Sequence, residues 1–274
     1  MENKFFLTPT ESIQAIIQSG KRVMTQCRRR TFLLSLLAGF YIAFGAQLAT
    51  VVSQDAAQFT GTGISRLLAG VVFSTGLMLV VICGAELFTG NSLLVSSALD
   101  GRISWWKLAE NWGLVLTGNL LGSLFMAWLV YESRLWETGN LAQHTVAIAV
   151  AKCNLSFGVA FVRGILCNWL VCLAVFMAVA ARDVSGKMLA CFVPITAFVT
   201  NGFEHSIANM YYIPAGLLLK SHMAVPVDPS LSWSAFLLNN IVPVTLGNIV
   251  GGVVFVACAY WYVHLPTNTA TSGH

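Results

Sequence analysis

Two short polar stretches interrupt an otherwise apolar chain, and they carry the residues best suited to chemistry. In "NGFEHSIANM", residues 201–210, Glu204 and His205 stand side by side, and in "CGAELFTGN", residues 83–91, Glu86 stands alone. Histidine exchanges protons near neutral pH, and an adjacent carboxylate can tune or orient its ring. An ionisable group inside a lipid-spanning stretch indicates a functional site. We therefore interpret His205 as a proton-exchanging residue, with a hydrogen-bonded buried histidine as the alternative.

The two glutamates also have a structural interpretation. A break in a membrane helix leaves backbone N–H and C=O groups that need partners. Glu86 and Glu204 can hydrogen-bond these N–H groups and hold the breaks in place, and we favour this role for both. Each stretch further contains a glycine that shapes the break and an asparagine that lines the pore; these are Gly84, Gly202, Asn91 and Asn209.

The composition places these stretches in a membrane. Of the 274 residues, 57% are hydrophobic and 9% charged, and the mean hydropathy is +0.74, far from the average of soluble proteins. A span needs about 20 apolar residues, so the chain has room for six spans and little else. We expect an amphipathic helix over residues 1–30, a membrane channel domain over residues 31–263 and a tail over residues 264–274. The net charge of +4 is small, and a nucleic-acid partner is not implied.

The apolar runs predict an all-α membrane fold with six transmembrane helices. They cover residues 31–52, 67–99, 111–131, 155–181, 188–219 and 235–263. The second and fifth runs exceed one crossing, and each contains one of the polar stretches. Long runs with such interruptions are typical of broken helices.

The two halves of the chain resemble each other. "NWGLVLTGNLLGS" at 111–123 matches "NIVPVTLGNIVGG" at 240–252 at a constant offset of 129 residues. The residues of the two polar stretches match at an offset of 118, pairing Gly84, Glu86 and Asn91 with Gly202, Glu204 and Asn209. Three spans per half, an odd number, orient the halves oppositely. The sequence therefore predicts a 3+3 inverted repeat with a substrate path between the broken helices.

Charge and capping signals predict the topology. Ten Lys and Arg residues fall on the side of the termini and five on the other, so the positive-inside rule places both termini in the cytoplasm. Thr8 and Glu11 form a capping pattern around Pro9. Because Ile13, Ile16 and Ile17 share one face, residues 8–27 predict an amphipathic helix at the membrane surface.

The breaks predict a preference for small anions. Half-helices that begin near Ser92 and Ser206 aim partial positive charge at the midplane. Lys152, before the fourth span on the outer side, can collect anions, although snorkelling to the interface is open for both Lys152 and Arg163. Five apolar side chains can close the path, with helix packing as the alternative: Phe73, Leu77, Phe88, Phe198 and Phe203. Such constrictions oppose a bare anion far more than its neutral acid.

Other functions receive less support. The seven cysteines form no C-x-x-C pair, so we expect no metal, cofactor or disulfide. No nucleophile, metal cluster or nucleotide loop accompanies His205, which disfavours an enzyme. A purely structural or sensor subunit would leave the polar breaks without a purpose.

Several stretches in their order resemble the formate/nitrite transporter family of prokaryotic membrane channels. They are "AELFTGN" at 85–91, "CNWLVCLA" at 167–174, "GFEHSIANM" at 202–210 and "TLGNIVGG" at 245–252. The resemblance implies a homopentamer of aquaporin-like protomers in the inner membrane, each with its own pore. It also implies small monovalent anions and protons as partners, with formate first, nitrite close behind and hydrosulfide, acetate or lactate as alternatives.

The same resemblance assigns roles to residues. Thr89 is implied as the pore hydroxyl, His205 as the central histidine and Lys152 as the basic residue before the fourth span. Leu77 and Phe88 match the inner constriction, and Phe73 and Phe198 match the outer one. The Asn-Pro-Ala motif of aquaporins is absent from the sequence, which disfavours a water pore.

Overall fold

The computed structural model describes residues 5–223 and 226–265, which are folded mainly into helices. In chain order these are α1 (Pro9–Thr25), α2 (Arg28–Ser53), α3 (Ala56–Thr60), α4 (Thr62–Cys83), α5 (Val95–Leu99), α6 (Trp105–Glu132), α7 (Leu141–Cys153), α8 (Phe157–Ala180), α9 (Val184–Asn201), α10 (Ser206–Leu219) and α11 (Trp233–His264). Helices α2, α4, α6, α8, α9 and α11 are long and apolar enough to cross a membrane, which confirms the predicted six-span fold. Most of the expected tail lies outside the described residues.

Both predicted helix breaks are present. Helix α4 ends at Gly84, whose φ is 76°, and α9 ends at Gly202, whose φ is 74°. Glycine adopts this left-handed backbone without the steric cost of a Cβ atom. After the second break the chain enters α10 directly at Ser206, as the sequence predicted.

The first break is followed by a shorter segment than expected. The chain forms a 3₁₀ turn over Gly90–Leu94 and only then the five-residue α5. A turn at Gly101, with φ of 70°, ends this segment. The expected half-helix beginning near Ser92 is therefore replaced by a 3₁₀ turn and a short helix.

Close glycine contacts join the helices of each half. A Cβ atom on Gly122 of α6 would clash with the carbonyl of Leu36 on α2, and one on Gly251 of α11 would clash with the carbonyl of Ile165 on α8. Both residue pairs are related by the offset of 129 that the sequence repeat shows. The sequence repeat therefore corresponds to equivalent helix–helix contacts in the two halves.

Helix α1 has the predicted cap but a different environment from the one expected. Thr8 accepts from the backbone N–H of Glu11, and the Glu11 carboxylate accepts from the N–H of Thr8. The apolar face carrying Ile13, Ile16 and Ile17 is buried against protein, in a cluster with residues of α5, α8 and α11. We term the side of the molecule that carries α1 the inner side and the opposite side the outer side.

Helix α7 was not predicted. Its 13 residues are too few for a span and fall between two apolar runs. It packs on α10, where the Cβ atom of Ala149 fills the space left by Gly216. Lys152 therefore stands in the last turn of α7, which fixes it beside the second break.

Candidate functional site

The carboxylate of Glu204 is buried at the second break and is held from two directions. Lys152 Nζ lies 3.0 Å from both carboxylate oxygens. Asn209 Nδ2 donates to Glu204 Oε2 over 2.6 Å and to Asn240 Oδ1 over 2.7 Å. The charge of Glu204 is therefore paired and hydrogen-bonded, as a buried carboxylate requires.

Glu86 has a matching set of partners at the first break. Arg22 Nη2 lies 2.9 Å from Glu86 Oε1. Asn91 Nδ2 donates to Glu86 Oε2 over 2.9 Å and to Asn111 Oδ1 over 3.1 Å. Each glutamate thus binds one cation and one asparagine, and each asparagine also bonds a second asparagine.

These contacts differ from the structural role predicted for the glutamates. Their carboxylates hydrogen-bond side chains, and the loop N–H groups of Phe88 and Ser206 are bonded to other residues. At the first break, Asn119 accepts from the N–H of Phe88 over 2.9 Å and donates to the carbonyls of Ser35 and Glu86. A neutral amide suits this task because it both donates and accepts.

Asn248 performs the same task at the second break. Its Oδ1 accepts from the N–H of Ser206 over 2.9 Å, and its Nδ2 donates to the carbonyls of Gly164 and Glu204. Both asparagines are fully buried. The repeat motif contains both residues, but the sequence analysis assigned them no role at the breaks.

His205 caps the second half-helix and contacts the first break. Its Nδ1 accepts from the backbone N–H of Ala208 over 3.1 Å, and its Nε2 lies 3.0 Å from Oγ1 of Thr89. Since Nδ1 is an acceptor, the neutral ring carries its proton on Nε2 and donates it to Thr89. The ring and the hydroxyl are both buried. The structure thus brings together the predicted central histidine and the predicted pore hydroxyl.

The histidine breaks the symmetry of the repeat. At the offset of 118, Leu87 corresponds to His205 and Ile207 corresponds to Thr89. Both Leu87 and Ile207 are buried apolar residues. One polar pair therefore serves both halves, with one member supplied by each break.

Two cavities approach this pair from opposite sides. The outer cavity, of about 570 Å³, is lined by Phe73, Phe198, Phe203, Lys152, Glu204, His205 and Asn209 among others. The inner cavity, of about 300 Å³, is lined by Arg22, Leu77, Gly84, Glu86, Asn91 and Lys187 among others. The two glutamate networks thus face different sides of the molecule, as an inverted repeat requires.

Apolar side chains separate the two cavities. Phe73 borders the outer cavity and Leu77, one helical turn away on α4, borders the inner one, and both are at most 2% exposed. The rings of Phe73 and Phe198 meet edge to face at 5.6 Å, and Phe198 stacks on His205 at 5.9 Å. Phe88 is buried against Trp112, whereas Phe203 is only partly buried and lines the outer cavity. Phe73 and Leu77 therefore lie between the two cavities, and their role as constrictions stays a prediction.

Sequence reasoning missed three further polar residues at these positions. Arg22 pairs with Glu86, which is 64 residues away, and no local sequence pattern predicts that pairing. Asn168 donates to the carbonyls of Thr89 and Asn248 and so joins the two halves. Lys187 lines the inner cavity and donates to the carbonyl of Ala178.

A multi-pass helical protein with two opposed cavities and a buried polar pair between them is a membrane channel or transporter. Comparison with known proteins defines the group more narrowly, because the family model described as formate/nitrite transporter matches residues 10–262. The chain belongs to the formate/nitrite transporter family. Its relatives are channels and transporters, not enzymes.

Individual relatives cover nearly the same length. The probable formate transporter of Methanothermobacter thermautotrophicus is 44% identical over 86% of this chain and 89% of its own. The formate channel FocA of Escherichia coli (strain K12) is 36% identical over 97% of this chain and 98% of its own. A solved pentameric formate channel with formate bound aligns with a TM-score of 0.77 at 38% identity, covering 87% of this chain and 98% of that one.

Proposed function

We propose that this protein conducts small monovalent anions of weak acids, formate foremost, across the cytoplasmic membrane. The observation that carries the proposal is the His205–Thr89 pair, which is buried where two cavities approach each other and is the polar contact between the two breaks. Relatives described as a probable formate transporter and a formate channel support formate as the first substrate. Nitrite, of similar size and charge, is the second.

The apolar separation between the cavities explains why protonation is needed. A bare anion that passes between Phe73, Phe198 and Leu77 loses its hydration, whereas the neutral acid avoids that electrostatic penalty. Lys152 neutralises the Glu204 carboxylate beside the outer cavity, so that this carboxylate does not repel the arriving anion. The anion then accepts a proton at His205 and crosses as the acid.

The hydrogen bonds of His205 set a condition on that proton transfer. Before Nε2 can give its proton to the anion, Nδ1 must take up a proton from the aqueous outer side, because an imidazolate is far too basic to be left behind. The ring that remains after transfer is neutral and carries its proton on Nδ1. Nδ1 accepts from the Ala208 N–H in this structure, so proton uptake there breaks that bond. The observed arrangement is therefore the resting neutral ring, and transfer requires the cap of α10 to open.

Assembly and orientation follow the relatives. We propose a homopentamer with one pore in each protomer, supported by the pentameric formate channel to which the chain is similar. The inner side, with α1 and the greater number of Lys and Arg residues, faces the cytoplasm. The partner molecules are small anions, protons and the lipid bilayer.

A substrate panel in proteoliposomes tests the proposal. Formate, nitrite and hydrosulfide are offered to the purified protein at equal concentration, with and without an inward pH gradient. Formate flux that exceeds that of protein-free vesicles and is accelerated by the gradient supports the account. Hydrosulfide flux well above formate flux would assign the pore to a different member of this anion class, and no flux of any of the three would refute a channel function.

A further inference from the structure

The outer cavity contains more positive charge than the proposed pore mechanism uses. Its titratable lining residues, within the described part of the chain, are Arg66, His144, Lys152, Arg163, Glu204, His205 and Tyr212. The one carboxylate among them, Glu204, already forms an ion pair with Lys152 and accepts a hydrogen bond from Asn209. In the described residues, neither Arg66 nor Arg163 has an acidic side-chain partner.

His144 does not add to this charge at neutral pH. Its Nε2 lies 2.9 Å from Oγ of Ser53. Burial lowers the pKa of His144 below its usual range, and the negative charge of Asp55 opposes that shift in part. The two arginines are therefore the unpaired positive groups that face the cavity.

Arg163 marks an asymmetry between the two halves. Its carbonyl accepts from the N–H of Glu204 over 3.2 Å, and the carbonyl of Leu34 accepts from the N–H of Glu86 over the same distance. Arg163 and Leu34 are thus equivalent in the repeat, and they are 129 residues apart. The outer half has a guanidinium at a position where the inner half has an aliphatic side chain.

Arg66 lies on the same face of α4 as the outer constriction. Thr62, Ser65, Arg66, Ala69 and Phe73 all line the cavity. At 1.5 Å per residue, Arg66 stands about 10 Å above Phe73 along the helix. An anion bound near Arg66 is therefore on the path toward Phe73 and His205.

A guanidinium group binds a planar carboxylate through two parallel hydrogen bonds. Hydrosulfide carries its charge on a single sulfur atom and cannot accept both bonds in this geometry. We propose that Arg66 and Arg163 form a carboxylate-binding site in the outer cavity, ahead of His205, and that it favours uptake of carboxylates over hydrosulfide from the outer side. The proposal rests on the proposed transport function and names the residues that select the substrate class. The equivalent residue of the inner half is Leu34, which cannot bind a carboxylate. We therefore expect the preference for carboxylates over hydrosulfide during uptake from the outer side and not during release from the inner side.

The test is initial formate and hydrosulfide uptake by right-side-out and inverted membrane vesicles from a host without its own formate channels. The variants are Arg163→Leu, Arg163→Lys and Arg66→Leu. Arg163→Leu introduces the residue found at the equivalent position of the inner half. Arg163→Lys keeps the positive charge but removes the paired N–H donors of the guanidinium group. Arg134→Leu is the matched control, because Arg134 pairs with Glu137 outside the cavity and carries the same charge.

We expect Arg163→Leu and Arg66→Leu to raise KM for formate about fivefold in right-side-out vesicles, the effect of one lost charge-assisted hydrogen bond in a partly wet site. Arg163→Lys raises it to an intermediate value and leaves hydrosulfide uptake unchanged. Arg134→Leu has no effect, and formate uptake by inverted vesicles is the same for all variants.

Three results would overturn the inference. They are an unchanged formate KM in both leucine variants, an equal loss of formate and hydrosulfide uptake in Arg163→Lys, and an equal loss in both vesicle orientations. Each leaves wild-type formate transport standing. Absence of formate uptake by the wild-type protein would instead refute the proposed function itself.

Discussion

Asn119 and Asn248 lie 129 residues apart and make the same hydrogen bonds at opposite breaks. Each side-chain oxygen accepts one loop N–H, and each side-chain nitrogen donates to the carbonyl of a neighbouring helix and to the carbonyl of Glu86 or Glu204. An interrupted membrane helix is stable only where such groups are satisfied within the protein. The two asparagines therefore permit the breaks that the pore requires.

Replacing either asparagine by leucine removes three hydrogen bonds and leaves buried backbone groups unpaired. We expect Asn119→Leu and Asn248→Leu each to cost about 3 kcal/mol or more in unfolding free energy. The measurement is the denaturation midpoint of the detergent-solubilised protein. Asn201→Leu is the control, because Asn201 is exposed and bonds only within its own helix. Equal midpoints for Asn248→Leu and Asn201→Leu would contradict the assigned role.

The Lys152–Glu204 pair predicts a coupling that single variants cannot show. Lys152→Ala leaves the buried Glu204 carboxylate without its cation, at a cost of about 3 kcal/mol. Adding Glu204→Gln removes that stranded charge, so the double variant regains most of the stability while formate flux stays low. A double-mutant cycle on unfolding and flux measures this. Additive losses of stability would show that the two side chains do not interact.

We expect removal of Arg22 from the Arg22–Glu86 pair to lower the unfolding free energy less than removal of Glu86. The Arg22 side chain is 63% exposed and that of Glu86 is 5% exposed. Arg22→Leu therefore costs under about 1 kcal/mol, because an ion pair with an exposed cation contributes little and Asn91 still donates to the Glu86 carboxylate. Glu86→Leu is worse, since Asn91 loses one of its two acceptors.

Unfolding midpoints and anion preference together check this assignment. Glu86→Leu should lower stability and pentamer yield without changing the ratio of formate to nitrite flux. A stable Glu86→Leu protein with an altered ratio would show that Glu86 selects anions and does not merely support the first break.

The sequence alone predicted the spans, the two breaks and the repeat, because each has a local or periodic signal. Gly84 and Gly202 indicated the positions of the breaks, and the apolar face with Ile13 and Ile16 predicted helix α1. The partners of these elements could not be predicted in the same way. The pairing of Arg22 with Glu86 and the burial of the α1 face against protein depend on tertiary contacts between distant segments.

The candidate site shows the same division. The resemblance of "GFEHSIANM" and "AELFTGN" to family motifs predicted His205 and Thr89 as pore residues, and the structure places them 3.0 Å apart. Lys152 was expected near the outer side, but only α7, which has no span-length apolar run, brings it onto Glu204. Constriction roles for Leu77, Phe73 and Phe198 stay predictions that flux measurements must test.

The most direct test of the account is proton-driven formate uptake by His205→Asn. Asparagine preserves an acceptor for the Ala208 N–H, because it is a favoured N-cap residue, but it does not titrate. With an imposed inward pH gradient, the account predicts formate flux at least about tenfold below wild type, an assembled pentamer and no remaining acceleration by the gradient. His222→Asn, at an exposed histidine outside both cavities, should behave as wild type. Gradient-accelerated formate flux at the wild-type rate in His205→Asn would contradict protonation at the central histidine.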